Sequence, residues 1–261
     1  MGEDVEWESF EKKWQSAIDD YIGGQELHMK NFGRGQLYSG WDQDRLDTFM
    51  LHLVAAITDS GVHAIGCGVY LTDYERLIPE HKAFTKDPYY MAFQEVTKGL
   101  SMRGSPIHSP TFDSIEPVAM VYAYQKEYGA TEAGRAQQLW HITKDSPERF
   151  PWASWMGTYI SAKPSERLPL QAADLFAYEL TREFEAWRKP NPPPMRTGLK
   201  ALLKGLEWPP LIKLYTLPVI LDMLWNSGAF EKPIQEHGPY AGVAYQHMAS
   251  VDEALKERAR I

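Results

Sequence analysis

Asp174 is the residue of this sequence best placed to do chemistry, because it borders the apolar seam of a helix spelled LPLQAADLFAYELTREFEAW, Leu168–Trp187. Leu170, Ala173, Ala177, Leu180, Phe184 and Trp187 alternate at spacings of three and four and line one face. Gln171, three residues before Asp174, and Tyr178, four after it, share its flank. A carboxylate at the edge of a buried face is costly unless a metal ion, water or a hydrogen-bond donor meets it. Asp174 therefore reads either as a metal ligand or as a core aspartate satisfied by hydrogen bonds. Other polar residues fall near expected strand ends and helix edges: His28 in ELHMK, Asp42 in SGWD, Asp73 in LTDY and Glu127 in YQKEYG. Of these, Asp42 reads as a helix cap before it reads as a ligand, and an isolated histidine such as His28 is as readily a satisfied polar group as a site residue.

Several signatures are missing from the sequence. It has no Walker-type phosphate loop, no GxGxxG after a strand, no GxSxG elbow and no HExxH. The single cysteine, Cys67, lacks the neighbours of a zinc knuckle and reads as a small buried residue in the apolar run Val62–Tyr70.

The elements that would position these residues are legible from periodicity. Glu6–Tyr21 reads as an amphipathic helix with Trp7, Phe10, Trp14, Ile18 and Tyr21 on one face and Gly23-Gly24 as its stop. A short extended piece, Glu26–Lys30, and a glycine-bearing loop, Asn31–Trp41, lead to a helix capped by Asp42 that carries Leu46, Phe49, Met50, Leu53, Val54 and Ile57. Val62–Leu71 suits a strand buried on both faces. Pro88–Met102 reads as a helix, Pro117–Tyr124 as a strand, Glu132–Thr143 as a helix and Trp155–Ala162 as a third strand before the Asp174 helix. Strands alternating with helices indicate an α/β domain. The run Asn191–Pro194 breaks the chain. A helix bearing Arg196, Lys200 and Lys204 follows, then a helix Leu217–Asn226 capped by Thr216, and a terminal helix opened by Ser250-Val251-Asp252-Glu253. Residues 1–190 thus form the α/β core and 191–261 a mainly helical extension packed on it.

At 261 residues and 44% hydrophobic, the chain can bury a sizeable core. No run is long enough to cross a bilayer and the first ten residues are acidic, so a cytoplasmic location is expected and no membrane partner. A net charge of −8 argues against a protein that coats nucleic acid non-specifically. The charge is uneven, however: Arg188–Lys213 holds six basic residues and one acidic, leaving −13 elsewhere. Arg196, Lys200 and Lys204 are four apart, which makes either a solvated helix face or a phosphate-tracking edge.

HMKNF (His28–Phe32), GWD (Gly40–Asp42), a buried strand ending in Asp73-Tyr74, and LPLQAADLFAYEL together resemble the bacterial and phage family catalogued as domain of unknown function 3800. The resemblance covers roughly residues 1–220, and its most specific part is the L-Q-x-A-D-L-x-A-Y block. It implies a ribonuclease-H-like mixed sheet flanked by helices, and with it a metal-dependent nuclease. Asp174 would be the family's metal-binding aspartate on the last core helix, with Glu127 the nearest acidic residue after the strand Pro117–Tyr124. His28 would assist in positioning water or phosphate and Gln171 would orient the site. Mg2+ or Mn2+ would be the cofactor, since two-ion phosphodiester cleavage needs several converging carboxylates.

The family opens with a strand bearing Asp-Glu-Ser and a second strand, whereas this chain starts at the helix that follows them. The expectation is a truncated or divergent member with exposed strand edges, completed by a second copy or a partner chain. Two functions follow: a nuclease of doubtful activity, or a catalytically inactive nucleic-acid- or protein-binding module using the basic segment.

Overall fold

The computed structural model describes residues 4–77, 79–85, 87–103, 117–123, 135–206, 210–226, 254, 255 and 257–259. The fold is α/β, with short parallel strand pairs flanked by helices. Helix α1 (Asp4–Ile22) buries Phe10, Trp14 and Ile18, the face the spacing predicts, against α2 (Gln43–Thr58), which buries Phe49, Met50, Leu53, Val54 and Ile57. Full burial of side chains this large contributes about 1.5–3 kcal/mol each, and the two helices anchor the main core.

Strand β1 (Ile65–Val69) occupies the middle of the predicted apolar run. It leads into α3 (Leu71–Glu75), α4 (Pro79–Thr85) and α5 (Pro88–Arg103). Strand β2 (Val118–Ala123), helix α6 (Arg135–Lys144) and strand β3 (Met156–Ala162) follow, and β2 pairs parallel to β3, as a strand–helix–strand crossover requires. Helix α7 (Leu168–Trp187) has the predicted bounds. Beyond the proline run come α8 (Thr197–Gly205), β4 (Leu211–Tyr215) and α9 (Leu217–Asn226).

Strand β4 is an element the periodicity does not mark, between the basic helix and the helix Leu217–Asn226. It pairs parallel to β1, from Ile65 beside Leu211 to Val69 beside Tyr215. The region after Pro194 thus supplies a strand to the same layer as β1. Leu255 and Ala259, near the chain's end, are buried in the core that holds Phe10 and Trp14.

The α7 face is also rotated from the expected one. Ala173 and Ala177 are exposed, and the buried face is Leu170, Gln171, Leu175, Phe176, Glu179, Leu180, Glu183 and Phe184. Close approach between helix and strand comes from glycines of β1. A Cβ at Gly66 would stand 2.5 Å from Leu180 Cδ1, and one at Gly68 2.8 Å from Phe184 Cε2. These glycines let α7 lie directly on β1. Cys67 and Val69 alternate to the other face, where Met91 of α5 packs and Lys213 of β4 pairs with Glu95 of α5 at 3.0 Å. Helix α5 also reaches the second strand pair, where Phe93 stacks on Tyr122 at 5.5 Å and Tyr122 on Tyr159 at 5.0 Å. Among the described residues no helix is long and apolar enough to cross a membrane.

Candidate functional site

The chain between α1 and α2 is a loop closed on itself. Gly23 and Gly24, both left-handed (φ +62° and +77°), end α1, with the Gly24 N–H donating to the Ile18 carbonyl at 3.3 Å. Within the expected extended piece Glu26–Lys30, His28 is extended, and Met29 and Lys30 enter a 3₁₀ turn, Met29–Asn31. A second 3₁₀ turn, Gln36–Tyr38, follows Gly33 and Gly35, and Asp42 closes the loop by accepting the Arg45 N–H at 2.8 Å as the cap of α2.

Apolar side chains hold this loop down. Leu27, Met29 and Tyr38 are buried, Phe32 stacks over Phe49 at 5.9 Å, and Tyr38 meets Trp41 edge-on at 5.2 Å. Burial pushes the Tyr38 phenol up to about 12. The polar fastening is Asp174, whose Oδ2 accepts the Met29 backbone N–H at 3.0 Å. An amide at the opening of a 3₁₀ turn lacks an acceptor within that turn, and a carboxylate makes the stronger, charge-assisted bond.

The loop encloses an open cleft of about 460 Å³ lined by Gln25, Glu26, His28, Asn31, Arg34, Gly35, Gln36, Leu37 and Tyr38. His28 sits on its wall with Nε2 3.2 Å from Glu26 Oε1, both side chains partly exposed. Asn31, Arg34 and Gln36 are exposed, and among the described residues their side chains carry no hydrogen bond or ion pair. Sequence reasoning missed these three, and the alternation of Gly33, Arg34 and Gly35 was the signal available.

The structure separates the other expected site residues. Gln171 is buried and spent on both ends of its amide: Oε1 accepts from Trp14 Nε1 at 3.3 Å, and Nε2 donates to the Pro164 carbonyl at 3.0 Å. It clamps α1 to the turn before α7. Asp73 accepts the Leu217 N–H at 3.1 Å and so caps α9, the role expected of Thr216, whose buried hydroxyl has no partner among the described residues. Glu127 lies outside the described residues.

Arg196 precedes α8 and gives its Nε to both oxygens of Glu179, at 3.1 and 3.2 Å. Glu179 is fully buried and also accepts the Leu199 N–H at 3.3 Å. Burial raises its carboxyl above the usual range despite the opposing pull of Arg196. One turn on, buried Glu183 accepts from Trp187 Nε1 at 2.7 Å and pairs with Arg258. Of the predicted basic stripe, Lys200 is half-buried and Lys204 exposed, while Arg196 is engaged by Glu179.

The donor set for a divalent ion can be judged on these contacts. Asp174 holds the Met29 amide, His28 is turned to Glu26, and among the described residues no three of His, Cys, Asp and Glu stand together as metal ligands would. Among the described residues the expected ligands offer a two-ion site Asp174 alone, Glu127 lying outside them. Cys67 carries no sign of reactivity: burial, with Glu95 nearby and against the pull of Lys213, pushes its thiol up to about 12. Compared with known proteins, the chain matches no family model, no curated protein and no solved structure.

Proposed function

We propose that this chain is a catalytically inactive, ribonuclease-H-like binding module whose ligand is single-stranded nucleic acid. Support for the ribonuclease-H-like part comes from parallel strands flanked by helices, with Asp174 on the helix that follows β3. The observation that carries the binding reading is the loop between α1 and α2. It gathers uncommitted polar side chains, Asn31, Arg34 and Gln36, around one cleft, and Asp174 is used to fasten that loop. Amide and guanidinium groups of this kind pair with base edges and phosphates. A nuclease would need further carboxylates beside Asp174, and the described residues do not bring them there.

The exposed Lys204 and half-buried Lys200 of α8 extend the proposal as a secondary contact to the phosphate backbone. Each strand pair has two strands among the described residues, so a second copy or partner chain along a strand edge also belongs to it, and a monodisperse monomer in sedimentation would remove that part.

The test is binding of labelled single-stranded DNA and RNA by fluorescence anisotropy across a salt series. Phosphate contacts make log K fall linearly with log salt, by about 0.7 per phosphate contacted. Arg34→Glu should abolish binding, and charge reversal at Lys200 and Lys204 should flatten the salt slope. No binding at low salt by a folded sample would overturn the reading. So would cleavage of either substrate that is lost in Asp174→Ala.

A further inference from the structure

We infer that the cleft of the α1–α2 loop is an anchor for a terminal phosphate, so that the cleft takes a phosphorylated end of a strand and not its interior. This rests on the nucleic-acid reading above and names the group its cleft takes.

The first argument is size and the short stretch of chain that supplies the lining. The cleft holds about 460 Å³, toward the lower end of small-molecule pockets, about 300–1,000 Å³. Its lining falls entirely between Gln25 and Tyr38, within one loop. A surface that tracks a strand is an extended groove, whereas a pocket bounded by one loop accepts one unit.

The second argument is the chemistry of the walls. Arg34 is an exposed guanidinium with no carboxylate or other acceptor among the described residues, and its planar fork suits an oxyanion bidentately. It is flanked by Gly33 and Gly35, both left-handed at φ +71° and +76°. A Cβ built at Gly35 would meet nothing within 4 Å, so the backbone beside Arg34 is open to a ligand. The amides of Asn31 and Gln36 add donors on the same walls. Glu26 is the one carboxylate of the lining, and it is directed to His28 at 3.2 Å.

The third argument separates terminal from internal phosphate. A phosphomonoester carries about −1.5 to −2 charges and three free oxygens at neutral pH, against one charge and two free oxygens for a diester. The Arg34 guanidinium gains more from the more highly charged group and the Asn31 and Gln36 amides can meet its third free oxygen, while Glu26, the opposing charge, is turned to His28.

The experiment uses the full chain and three single-stranded oligonucleotides of one sequence, about twelve nucleotides long, within the size of a single-strand site. One carries a 5′-phosphate, one a 3′-phosphate and one neither. One phosphorylated end should bind about tenfold tighter than the unphosphorylated strand. That preference should vanish in Arg34→Gln, partly return in Arg34→Lys, and be competed away by inorganic phosphate. Arg34 is exposed, so an unchanged melt checks that the variant is folded. Equal affinity for all three strands, or a preference that survives Arg34→Gln, overturns the inference.

If no strand binds at low salt, the nucleic-acid reading fails separately, and inorganic phosphate and a nucleoside monophosphate decide the cleft by calorimetry. Binding of either that is lost in Arg34→Gln supports an anion site of the same chemistry. Absence of binding by both overturns it.

Discussion

The Met29 backbone N–H donates to Asp174 Oδ2 across 3.0 Å, joining residues 145 positions apart in the chain. This contact connects the last long helix of the β3–α7 region to the loop that carries the cleft. The carboxylate that the sequence marks as the first candidate for chemistry is therefore bound up with loop geometry.

Asp174→Ala should lower stability by about 1.5–3 kcal/mol, the range for a hydrogen bond to a charged group. Asp174→Asn keeps an acceptor oxygen and should recover part of that loss. Urea unfolding measures both, and the same variants should weaken strand binding because the loop loses its fastening. Manganese added to the wild type should leave the melting midpoint unchanged. A ligand in hundredfold excess over its dissociation constant would raise stability by about 2.7 kcal/mol, so a rise that Asp174→Asn removes would restore the metal reading.

Gly66→Ala should cost about 1–3 kcal/mol, because its Cβ would stand 2.5 Å from Leu180 Cδ1 and overpack the β1–α7 contact. Leu180→Ala is destabilising alone, but combined with Gly66→Ala it should cost less than the sum of the two. A double-mutant cycle by chemical denaturation reads that coupling. Full additivity would mean that α7 can shift away from β1.

Most of the element order was legible because core periodicity is local. The α1 face, the Asp42 cap and the bounds of α7 follow from spacings of three and four, and from one side chain reaching three residues ahead. What was not legible depends on partners distant in sequence. Strand β4 exists because β1 lies beside it, 146 residues earlier at the Ile65–Leu211 pair. The face of α7 was misjudged because Glu179 and Glu183 count as polar in any periodicity, yet arginines from outside the helix allow both to be buried. The candidate site divided the same way. Asp174 and His28 were noticed as isolated polar residues, whereas Arg34 emerges only once the loop folds around a cleft.

Glu179 gives a pH dependence of defined sign. Its folded carboxyl titrates above the ordinary glutamate range, chiefly because burial disfavours the charged form. In the window between the unfolded and folded values the native state binds more protons than the unfolded state, so this group's contribution to stability falls as pH rises through that window. Below the unfolded value the contribution is fully present. Urea midpoints for wild type and Glu179→Gln across this range should differ by a component that declines with rising pH. A difference that grows with pH would place Glu179 among the ordinary stabilising ion pairs.

Arg258→Ala should cost about 3–5 kcal/mol, because it leaves Glu183, 2% exposed, buried with the Trp187 indole as its one remaining partner among the described residues. The other end of the same guanidinium holds the Pro193 carbonyl at 2.7 Å, so the variant also frees the proline connector. Adding Glu183→Gln should recover much of the loss, since a neutral amide has no charge to leave unpaired. If the double variant is as unstable as Arg258→Ala alone, the cost lies in the Pro193 contact and in the packing of Leu255 and Ala259, not in the stranded carboxylate. Thermal unfolding of the three variants separates these causes, and it tests whether the last described residues are part of the core that α7 organises.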